Sequence, residues 1–472
     1  MRDLLRRSKL YFALLTAAAI ALRLVFVLRF PVLTDDGFVY GDLAKNLLQH
    51  GFFGISGPDG PTPTLIRMPG YPAYIAAIWS VTGVEHYRAL LWTQLAVDVA
   101  TCFVIADFAR RIVGSGRAAK LAFVLATLCP FTANYVASAL TETLAIFFAA
   151  LALDTAAMAL SSARLRDWAL CGAAVAGGIL LRPDGGILLP VIAGYALLCS
   201  RQDARRRLAV ATVLTAVALG PLVPWTIRNW RMFHVVQPLA PQYANEPDEF
   251  VPLGFGRWIK TWIADYSSVT EVLWAEPQDA IMDRLPDRAF DDAAERERVA
   301  ALLAAYKADG MTVGPALDHE FAELASRRIQ RHPLRYYVWL PALRIAGMWL
   351  RPRTELLGLE DRWWDYENDP HDATIAMALG VVNLAYVLAA IAAAAYWVWV
   401  RPGWRYGGML LAFVVARSAF LGTVGNPEPR YSLECYPVVM VYAAALVARK
   451  TRGRAPERAH ALASVPASVS QN

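Results

Sequence analysis

Long apolar segments recur along the chain, and shorter stretches of polar and charged residues separate them. A segment of about 18 or more apolar residues is typical of a helix that crosses a membrane. The pattern therefore predicts an all-α polytopic membrane protein with about ten transmembrane helices. These helices are expected near residues 10–30, 89–109, 121–137, 141–160, 168–182, 185–200, 208–226, 374–400, 406–423 and 432–449.

Three further segments have too few apolar residues to cross a bilayer. Residues 71–83 and 336–350 are apolar but short, since a transmembrane helix takes about 20 residues. In residues 36–50, apolar side chains recur at helical spacing and polar side chains occupy the other side. The sequence therefore predicts interfacial helices at 36–50 and 71–83, with residues 336–350 also at the membrane surface.

The composition and the charge distribution agree with a membrane location. Of the 472 residues, 57% are hydrophobic and 18% are charged, whereas soluble chains are about 45–50% apolar and about 25% charged. Cytoplasmic loops carry an excess of Lys and Arg. A ten-helix topology places every basic connector in the cytoplasm, namely residues 2–9, 110–120, 164–166, 201–207, 401–405 and 449–458. This topology accounts for the net charge of +6, so no nucleic-acid partner is expected.

Topology and composition divide the chain into four parts. Residues 1–230 form an N-terminal transmembrane module, 231–372 an external insertion, 373–450 the C-terminal transmembrane helices, and 451–472 a disordered cytoplasmic tail. Between 265 and 323 the insertion carries fourteen acidic and five basic residues in helical runs, which predicts a soluble helical unit. Both termini are expected in the cytoplasm of a bacterial cell, with the functional site on the periplasmic face of the inner membrane.

Two adjacent carboxylates, Asp35 and Asp36 in TDDGFVYGDL, follow the first predicted transmembrane helix on its external side. One interpretation is that one of them only caps the following helix, a role that Asp fills well. Capping needs a single carboxylate, however, and ionisable groups at membrane depth generally have a function. The pair therefore predicts a catalytic site on the external face.

Other charged and aromatic residues mark breaks in the apolar pattern on the same face. Each has a structural alternative, such as an arginine that meets lipid phosphate, a glutamate in a first helical turn, or a local Arg–Asp ion pair. Together they predict a cavity for an anionic, lipid-tethered substrate, since arginines bind phosphate and carboxylates accept protons. The expected substrate-binding residues are Tyr40, Arg67 before a Pro-Gly-Tyr-Pro turn, Glu142, Arg182 beside Asp184, Arg228, Arg430 and Tyr431.

With these residues the sequence resembles the integral-membrane GT-C glycosyltransferases. The branch in question holds the dolichyl-phosphate-mannose protein O-mannosyltransferases and the bacterial lipid A aminoarabinose transferase. The matching pieces occur in the family's order and are TDDGFVYGDLAKNLLQHGFFG, RMPGYPAYIAAIWSVTG, ALTETLAIFFAALAL, LRPDGGILLP, PWTIRNWRMF and PEPRYSLECYPVVM. They cover most of the first 235 residues and the last 50, but not the insertion. By this resemblance the family's base aligns with Asp35, its following tyrosine with Tyr40, its basic residue with Arg67, its second acid with Glu142, and its Arg-Tyr pair with Arg430 and Tyr431.

The resemblance implies a GT-C-like fold and an inverting transfer of a sugar from a polyprenyl-phosphate donor to a hydroxyl of a protein, lipid or polysaccharide. Asp35 would act as the base, while Arg67 and Arg430 would neutralise the departing phosphate. Asp36 stands where the family usually has Glu, so the choice of base between the two aspartates is open. No cofactor is expected, although a divalent metal between Asp36 and Glu142 is also left open. The sugar, the acceptor and the oligomeric state are not predicted.

The main alternative is a transporter or flippase for a lipid-linked anionic substrate, which the arginines and an external cavity suit equally well. The carboxylates are confined to one face, the chain shows no internal repeat, and the insertion is bulky, all of which disfavour transport. Arg23 lies within the first predicted transmembrane helix and would favour a transport path. We expect it instead to pack against neighbouring helices or cavity water. A scaffold without chemistry would leave the clustered external charges unexplained.

Overall fold

The structure is a computed structural model that describes residues 1–162, 164–199, 202–274, 281–359, 363–364, 366–400 and 406–447. Most of the described chain is helical. The helices are α1 (Arg2–Arg7), α2 (Lys9–Arg29), α3 (Asp35–Gln49), α4 (Gly70–Thr82), α5 (Tyr87–Val113), α6 (Gly116–Leu128), α7 (Pro130–Asn134), α8 (Glu142–Ser162), α9 (Leu165–Leu181), α10 (Leu188–Cys199), α11 (Ala204–Leu219), α12 (Leu222–Phe233), α13 (Leu253–Ile259), α14 (Ile281–Arg284), α15 (Ala293–Ala308), α16 (Pro315–Arg331), α17 (Leu340–Leu350), α18 (Pro370–Val400), α19 (Gly407–Gly422) and α20 (Tyr436–Ala445). Two short strands are β1 (Gly54–Gly57) and β2 (Gly60–Pro63). The predicted tail at 451–472 and the connector at 401–405 lie outside the described residues.

Each of the ten predicted transmembrane segments contains a helix in the structure. Within the described residues, α2, α5, α8 and residues 370–397 of α18 are long and apolar enough to cross a membrane singly. Two bent pairs also qualify if each pair is taken as one transmembrane segment, which gives up to six. Residues 183–199 and α19 are apolar but shorter. The fold is therefore an all-α membrane fold as predicted, and the number of ten transmembrane helices stays a prediction.

The bends between paired helices follow from proline chemistry. The axis turns by 46° where α6 gives way to residues 130–137, and by 45° between α11 and α12. Proline lacks the N–H group that continues a helix, and its ring clashes with the preceding turn. Pro130 and Pro221 stand at these two breaks. A third proline, Pro183, follows α9 and begins the irregular segment that the sequence predicts before α10.

The centre of the helical bundle is packed through small side chains. Helix α8 packs against α5, α9 and α20, and α20 also packs against α5. Small residues let helix backbones approach closely where lipid offers no hydrophobic driving force. Alanines with no exposed surface line this contact, including Ala106, Ala109, Ala150, Ala156 and Ala444.

Arg23 of α2 is fully buried within this bundle. Its Nε donates to Asp98 Oδ2 of α5 at 2.7 Å, and its Nη2 donates to the carbonyl of Ala126 at 3.0 Å. Both Arg23 and Asp98 are essentially inaccessible to solvent. The expectation that Arg23 packs against neighbouring helices is confirmed.

A β-hairpin follows α3, and the sequence pattern did not predict it. Its strands β1 and β2 pair antiparallel, with Ile55 opposite Thr62. The hairpin is fastened to α3, because Asp42 Oδ2 accepts from the Ser56 N–H at 2.6 Å and Asn46 Nδ2 donates to the Gly54 carbonyl at 3.0 Å. It fixes the direction in which the chain runs from α3 to Arg67.

The two predicted interfacial helices agree with α3 and α4 within one residue at each end. The buried face of α4 carries Tyr71, Ile75 and Trp79. Its first residue, Gly70, lies against α9 so closely that a Cβ there would stand 2.5 Å from the Leu180 carbonyl oxygen. This close approach holds the segment before α4, and with it Arg67, beside the end of α9.

Residues 231–372, predicted to form an external helical insertion, contain α13 to α17 and the turns between them, and their external position stays a prediction. It has its own hydrophobic core, formed by Trp258, Trp262, Val299, Phe321 and Leu324 among others. The segment after α17 runs back into the bundle and is buried at residues 351–354. The insertion is therefore joined to the rest of the protein by packed contacts rather than by a free linker.

Candidate active site

The first turn of α3 carries both aspartates, but neither caps the helix. Thr34 is the capping residue, since its hydroxyl accepts from the Gly37 N–H at 3.2 Å. Asp35 and Asp36 occupy the first two helical positions, where the positive end of the helix dipole favours a carboxylate. The interpretation of one aspartate as the helix cap is therefore wrong.

Asp36 holds two of the predicted arginines. Its Oδ1 accepts from Arg67 Nη2 at 2.9 Å, and its Oδ2 accepts from Arg430 Nη2 at 3.3 Å. Burial alone would raise the pKa of the Asp36 carboxyl, but the guanidinium groups of Arg430 and Arg67 outweigh it and hold this pKa below its usual range. Asp36 is thus an ionised anchor for two cations that approach from opposite ends of the sequence.

Asp35 differs from its neighbour in both exposure and contacts. Its side chain is exposed. Among the described residues it makes neither an ion pair nor a hydrogen bond through its carboxylate. A free carboxylate therefore stands beside the paired one, with both oxygens available to a ligand.

Glu142 begins α8 and is 4% exposed. Its Oε1 accepts from Arg182 Nη1 at 3.0 Å and lies 3.7 Å from Arg430 Nε. Its other oxygen, Oε2, is buried and has no hydrogen-bond partner in the described part of the chain. Glu142 thus joins the cluster around Asp36 through Arg430 and keeps one oxygen free.

Arg182 forms the local ion pair that the sequence offered as an alternative, with Nε 3.1 Å from Asp184 Oδ1. That pair belongs to a larger network. Arg417 of α19 is fully buried and binds both Asp184, at 3.0 Å, and Glu434, at 2.7 Å. The network connects the break after α9 to the segment that precedes α20.

Sequence reasoning missed Arg417 and Glu434, because both were counted as part of the predicted transmembrane segments 406–423 and 432–449 and not as part of the breaks between segments. A charged residue within an apolar segment is itself a signal of function or of a buried partner. That rule, applied to α19 and to SLECYP, would have found both residues.

The segment Pro429–Cys435 presents Arg430 and Tyr431 together, as predicted. Glu428, which the sequence reasoning did not single out, holds both. The Tyr431 hydroxyl donates to Glu428 Oε1 at 2.6 Å, and Arg430 Nε lies 2.6 Å from Glu428 Oε2. The Arg182 guanidinium stands over the Tyr431 ring at 5.0 Å, a cation–π contact that connects this segment to α9.

Tyr40 lies one turn after Asp36 on α3. Its ring meets that of Tyr71 edge-on at 5.0 Å, and the Arg67 guanidinium is 6.0 Å from its centre. Burial raises the pKa of the Tyr40 hydroxyl to about 12, so this group is a neutral hydrogen-bond donor at physiological pH. Tyr40 therefore borders the cluster next to Arg67.

Arg228 is not brought into this cluster. Its guanidinium donates to the carbonyls of Phe53, at 2.6 Å, and Thr64, at 2.7 Å, and lies 5.1 Å from the centre of the Trp225 ring. Within the described residues it forms no ion pair with a site carboxylate. The contacts support the chain on both sides of the hairpin, and a role for Arg228 in binding substrate stays a prediction.

A metal between Asp36 and Glu142 does not fit this arrangement. The guanidinium of Arg430 lies between the two carboxylates, at 3.3 Å from the first and 3.7 Å from the second. No three His, Cys, Asp or Glu side chains come together in the described ranges in a way that would hold a metal ion. A cation is already present at this position, supplied by the protein itself.

The amino-acid sequence of residues 62–227 matches the family of dolichyl-phosphate-mannose-protein mannosyltransferases. This range includes Arg67 and Glu142 and leaves out Asp35 and Arg430. No curated protein sequence matches the chain.

Three solved structures are similar to the chain, and two of them, both of an archaeal oligosaccharyltransferase, have a similar fold. The oligosaccharyltransferase AglB from Archaeoglobus fulgidus, in complex with an inhibitory peptide and a dolichol-phosphate, gives a TM-score of 0.52 and 13% identity over 93% of this chain and 50% of its own. The A. fulgidus oligosaccharyltransferase with zinc and sulfate gives 0.51 and 14% over 92% and 48%. ArnT from Cupriavidus metallidurans, bound to undecaprenyl phosphate, gives 0.39 and 14% over 92% and 77%. The chain spans about half the length of the archaeal enzymes, and at such identities the likeness concerns the fold. The protein therefore has the membrane fold of the GT-C glycosyltransferases, as its sequence motifs predicted, and its residues 62–227 match the dolichyl-phosphate-mannose-protein mannosyltransferase family.

Proposed function

We propose that the protein is a glycosyltransferase that moves a sugar from a polyprenyl-phosphate donor to an acceptor hydroxyl. The acceptor belongs to a protein, a lipid or a polysaccharide, and the reaction takes place on the periplasmic face of a bacterial inner membrane. The match of residues 62–227 to a family named for a dolichyl-phosphate sugar supports this donor class. A similar fold in an archaeal enzyme solved with a dolichol-phosphate supports it further.

One observation carries the proposal, namely the unequal environments of the two aspartates. Asp36 is bound by two guanidinium groups, which makes it a weak base, whereas Asp35 is exposed and has no protein partner among the described residues. A general base must be free to reach the proton that it removes. This contrast supports Asp35 as the base and Asp36 as the residue that collects the arginines.

The reaction follows from these positions. The acceptor oxygen attacks the anomeric carbon of the donor sugar and passes its proton to a carboxylate oxygen of Asp35. The bond between the anomeric carbon and the phosphate oxygen breaks, and its electron pair stays on the phosphate. Arg67 and Arg430 neutralise the resulting lipid phosphate monoester, because guanidinium groups bind phosphate oxygens in pairs. In-line attack inverts the configuration at the anomeric carbon.

The remaining residues of the cluster orient these groups. Arg182 forms an ion pair with Glu142, while Glu428 binds both Arg430 and Tyr431. Arg430 Nε thereby lies 3.7 Å from Glu142 Oε1. The ring of Tyr40 lies 6.0 Å from the Arg67 guanidinium. No cofactor enters this scheme.

Transport of a lipid-linked anion is the alternative function, and it predicts a different outcome in one experiment. Liposomes containing the protein receive radiolabelled polyprenyl-phosphate sugars together with total membrane acceptors. We expect label to move to an acceptor with the wild type, and at most about a hundredth of that activity with Asp35→Asn, since general-base catalysis contributes about 10²–10⁴-fold. Unaltered donor that merely crosses the bilayer, with both proteins, would instead identify a flippase.

A further inference from the structure

Three polar atoms near the proposed site are buried and have no hydrogen-bond partner within the described chain. They are the hydroxyl of Tyr135, Oε2 of Glu142 and Oε1 of Glu355. Tyr135 is 3% exposed and Glu142 is 4% exposed. More than about nine in ten buried polar groups in native structures are paired, because an unpaired one costs about 1–3 kcal/mol. Three unpaired polar atoms near one another indicate a binding site for a polar ligand.

The three residues belong to segments that contact one another. The beginning of α8, with Glu142, packs against residues 135–137 and residues 429–435, and Arg353, two residues before Glu355, donates to the Pro429 carbonyl. Arg430 Nε lies 3.7 Å from Glu142 Oε1, so Glu142 connects this region to the guanidinium proposed above to bind the phosphate. The insertion supplies Glu355, and the N-terminal module supplies the other two.

The wall that carries Tyr135 is fixed from two directions. Gln94 Nε2 donates to the carbonyls of Val136, at 3.2 Å, and Ser138, at 2.8 Å. The Val32 N–H donates to the Ala137 carbonyl at 3.0 Å, which ties this wall to the segment just before α3. Tyr135 is therefore held in place by its neighbours in sequence, and its hydroxyl takes no part in holding it.

The segment that carries Glu355 forms the second wall, and Arg353, which is 3% exposed, fixes it. Its guanidinium donates to the Pro429 carbonyl at 2.7 Å and to Ser432 Oγ at 2.6 Å. These bonds join the segment that carries Glu355 to the segment that carries Arg430. Both walls are thus rigid without using the three free atoms, as a preorganised binding site requires.

We propose that Tyr135, Glu142 and Glu355 form the subsite for the sugar of the lipid-linked donor, which rests on the glycosyltransferase function proposed above. The two carboxylate oxygens accept hydrogen bonds from sugar hydroxyls, and the tyrosine hydroxyl donates to a sugar oxygen or accepts from a hydroxyl. The free carboxylate oxygens accept hydrogen bonds, which sugar hydroxyls donate and a uronate carboxylate does not, so the subsite takes a neutral sugar with free hydroxyls and disfavours a uronic acid. This assigns a substrate class to the site.

Binding measurements in detergent test the subsite without requiring turnover. The probes are undecaprenyl phosphate alone and undecaprenyl phosphate carrying mannose, glucose, galactose, arabinose or glucuronic acid. For the wild type we expect at least one neutral-sugar lipid to bind about tenfold or more tightly than the bare lipid phosphate, and the glucuronic lipid to show no such gain. In Tyr135→Phe and Glu355→Gln this sugar-dependent gain falls by about tenfold, while binding of the bare lipid phosphate is unchanged.

Tyr386→Phe is a matched control, because the Tyr386 hydroxyl donates to the Leu125 carbonyl at 2.7 Å. It should lower the unfolding temperature and keep the sugar-dependent gain. Tyr135→Phe should show the reverse, since it removes a hydroxyl without a protein partner.

Four outcomes would overturn the subsite: an equal gain in the two variants and the wild type, no gain from any neutral sugar, tightest binding of the glucuronic lipid, or a loss of stability in Tyr135→Phe like that of the control. If the wild type binds neither bare nor sugar-bearing lipid phosphate, the proposed function fails together with the subsite. If it binds the bare lipid phosphate and the sugar adds nothing, the subsite alone fails.

Discussion

Replacing Asp36 by asparagine removes the carboxylate that Arg67 and Arg430 share. The Asp36 side chain is 32% exposed, and those of its partners are 24% and 15% exposed. The Arg67 guanidinium then keeps one long hydrogen bond, 3.4 Å, to the carbonyl of Ile66. Arg430 keeps its ion pair with Glu428, whose Oε2 lies 2.6 Å from Arg430 Nε. A hydrogen bond to a charged group contributes about 1.5–3 kcal/mol, and breaking a fully buried ion pair costs about 3–5 kcal/mol. Because this site is half-buried and one arginine keeps a partner, we expect a loss of about 2–3 kcal/mol in the free energy of unfolding.

Asp35→Asn is the matched variant, one position away and equal in chemistry. Asp35 is exposed and has no protein partner in the described residues, so its replacement should change stability by less than about 0.5 kcal/mol. We expect Asp35→Asn to lose activity without losing stability, so stability alone does not explain its effect. Asp35→Asn should retain at most about a hundredth of the transfer rate, while losing none of the fold.

Thermal unfolding in detergent, followed over a range of pH, measures the stability of both variants. The pKa of Asp36 is lowered on folding, so its contribution is fully present above the unfolded-state pKa of about 3.9 and is lost as the pH falls through the lower folded-state value. The stability gap between the wild type and Asp36→Asn should therefore be constant from about pH 8 to about pH 5 and should narrow below about pH 4. The difference in stability between the wild type and Asp35→Asn should stay small, because Asp35 has no protein partner in the described residues.

The reasoning is refuted if Asp35→Asn destabilises the protein as much as Asp36→Asn does, since Asp35 would then have a structural partner. It is refuted equally if Asp35→Asn transfers sugar at the wild-type rate. A stability gap for Asp36→Asn that grows as the solution is acidified would contradict the assigned direction of its pKa.

Three further substitutions test the framework around the site by thermal unfolding. Asp98→Asn leaves the Arg23 guanidinium without its buried partner and should cost about 3–5 kcal/mol, a value that a change below about 1 kcal/mol would contradict. Thr34→Ala removes the cap of the helix that carries both aspartates and should cost about 1 kcal/mol, whereas Thr34→Ser should restore most of it. Gly70→Ala places a Cβ 2.5 Å from the Leu180 carbonyl oxygen, so it should lower both stability and activity, and an unchanged unfolding temperature would show that the two helices are less tightly packed than described.

Apolar length predicted the positions of the helices because a helix that crosses a membrane needs about 20 apolar residues whatever its neighbours are. The same pattern predicted one segment over 121–137 but could not show that its axis turns by 46° after α6, since the residues on both sides are apolar and only Pro130 marks the change. The hairpin at β1 and β2 was missed because Gly and Pro weaken strand patterns. Bonds from Asp42 and Asn46 of α3 also hold the hairpin in place, and the pattern of its own residues does not show them.

The candidate site was predictable to the extent that its residues stand at breaks in the apolar pattern. Asp36, Arg67 and Arg430 were found in this way, but their pairing was not, because it joins positions that are 31 and 394 residues apart. Glu355 belongs to the insertion, which no sequence motif covers, and Tyr135 lies inside an apolar segment as one of 19 tyrosines. Their free polar atoms become visible only when the burial of each atom is known.

Asp36 and Arg430 contact each other although they are far apart in sequence, so the site cannot be complete until late in the synthesis of the chain. These residues are 394 positions apart, and chains grow at about 5–20 residues per second, so roughly 20–80 s pass between the synthesis of the first and that of the second. During that interval Asp36 and Arg67 are present on the nascent chain, but the second guanidinium and the segment with Glu428 are not. A ribosome-bound or truncated chain that ends before residue 428 therefore carries the proposed base without its complete phosphate site. If the proposed function is right, catalytic competence is acquired only when the last part of the chain has been inserted, so activity would report that membrane assembly is complete.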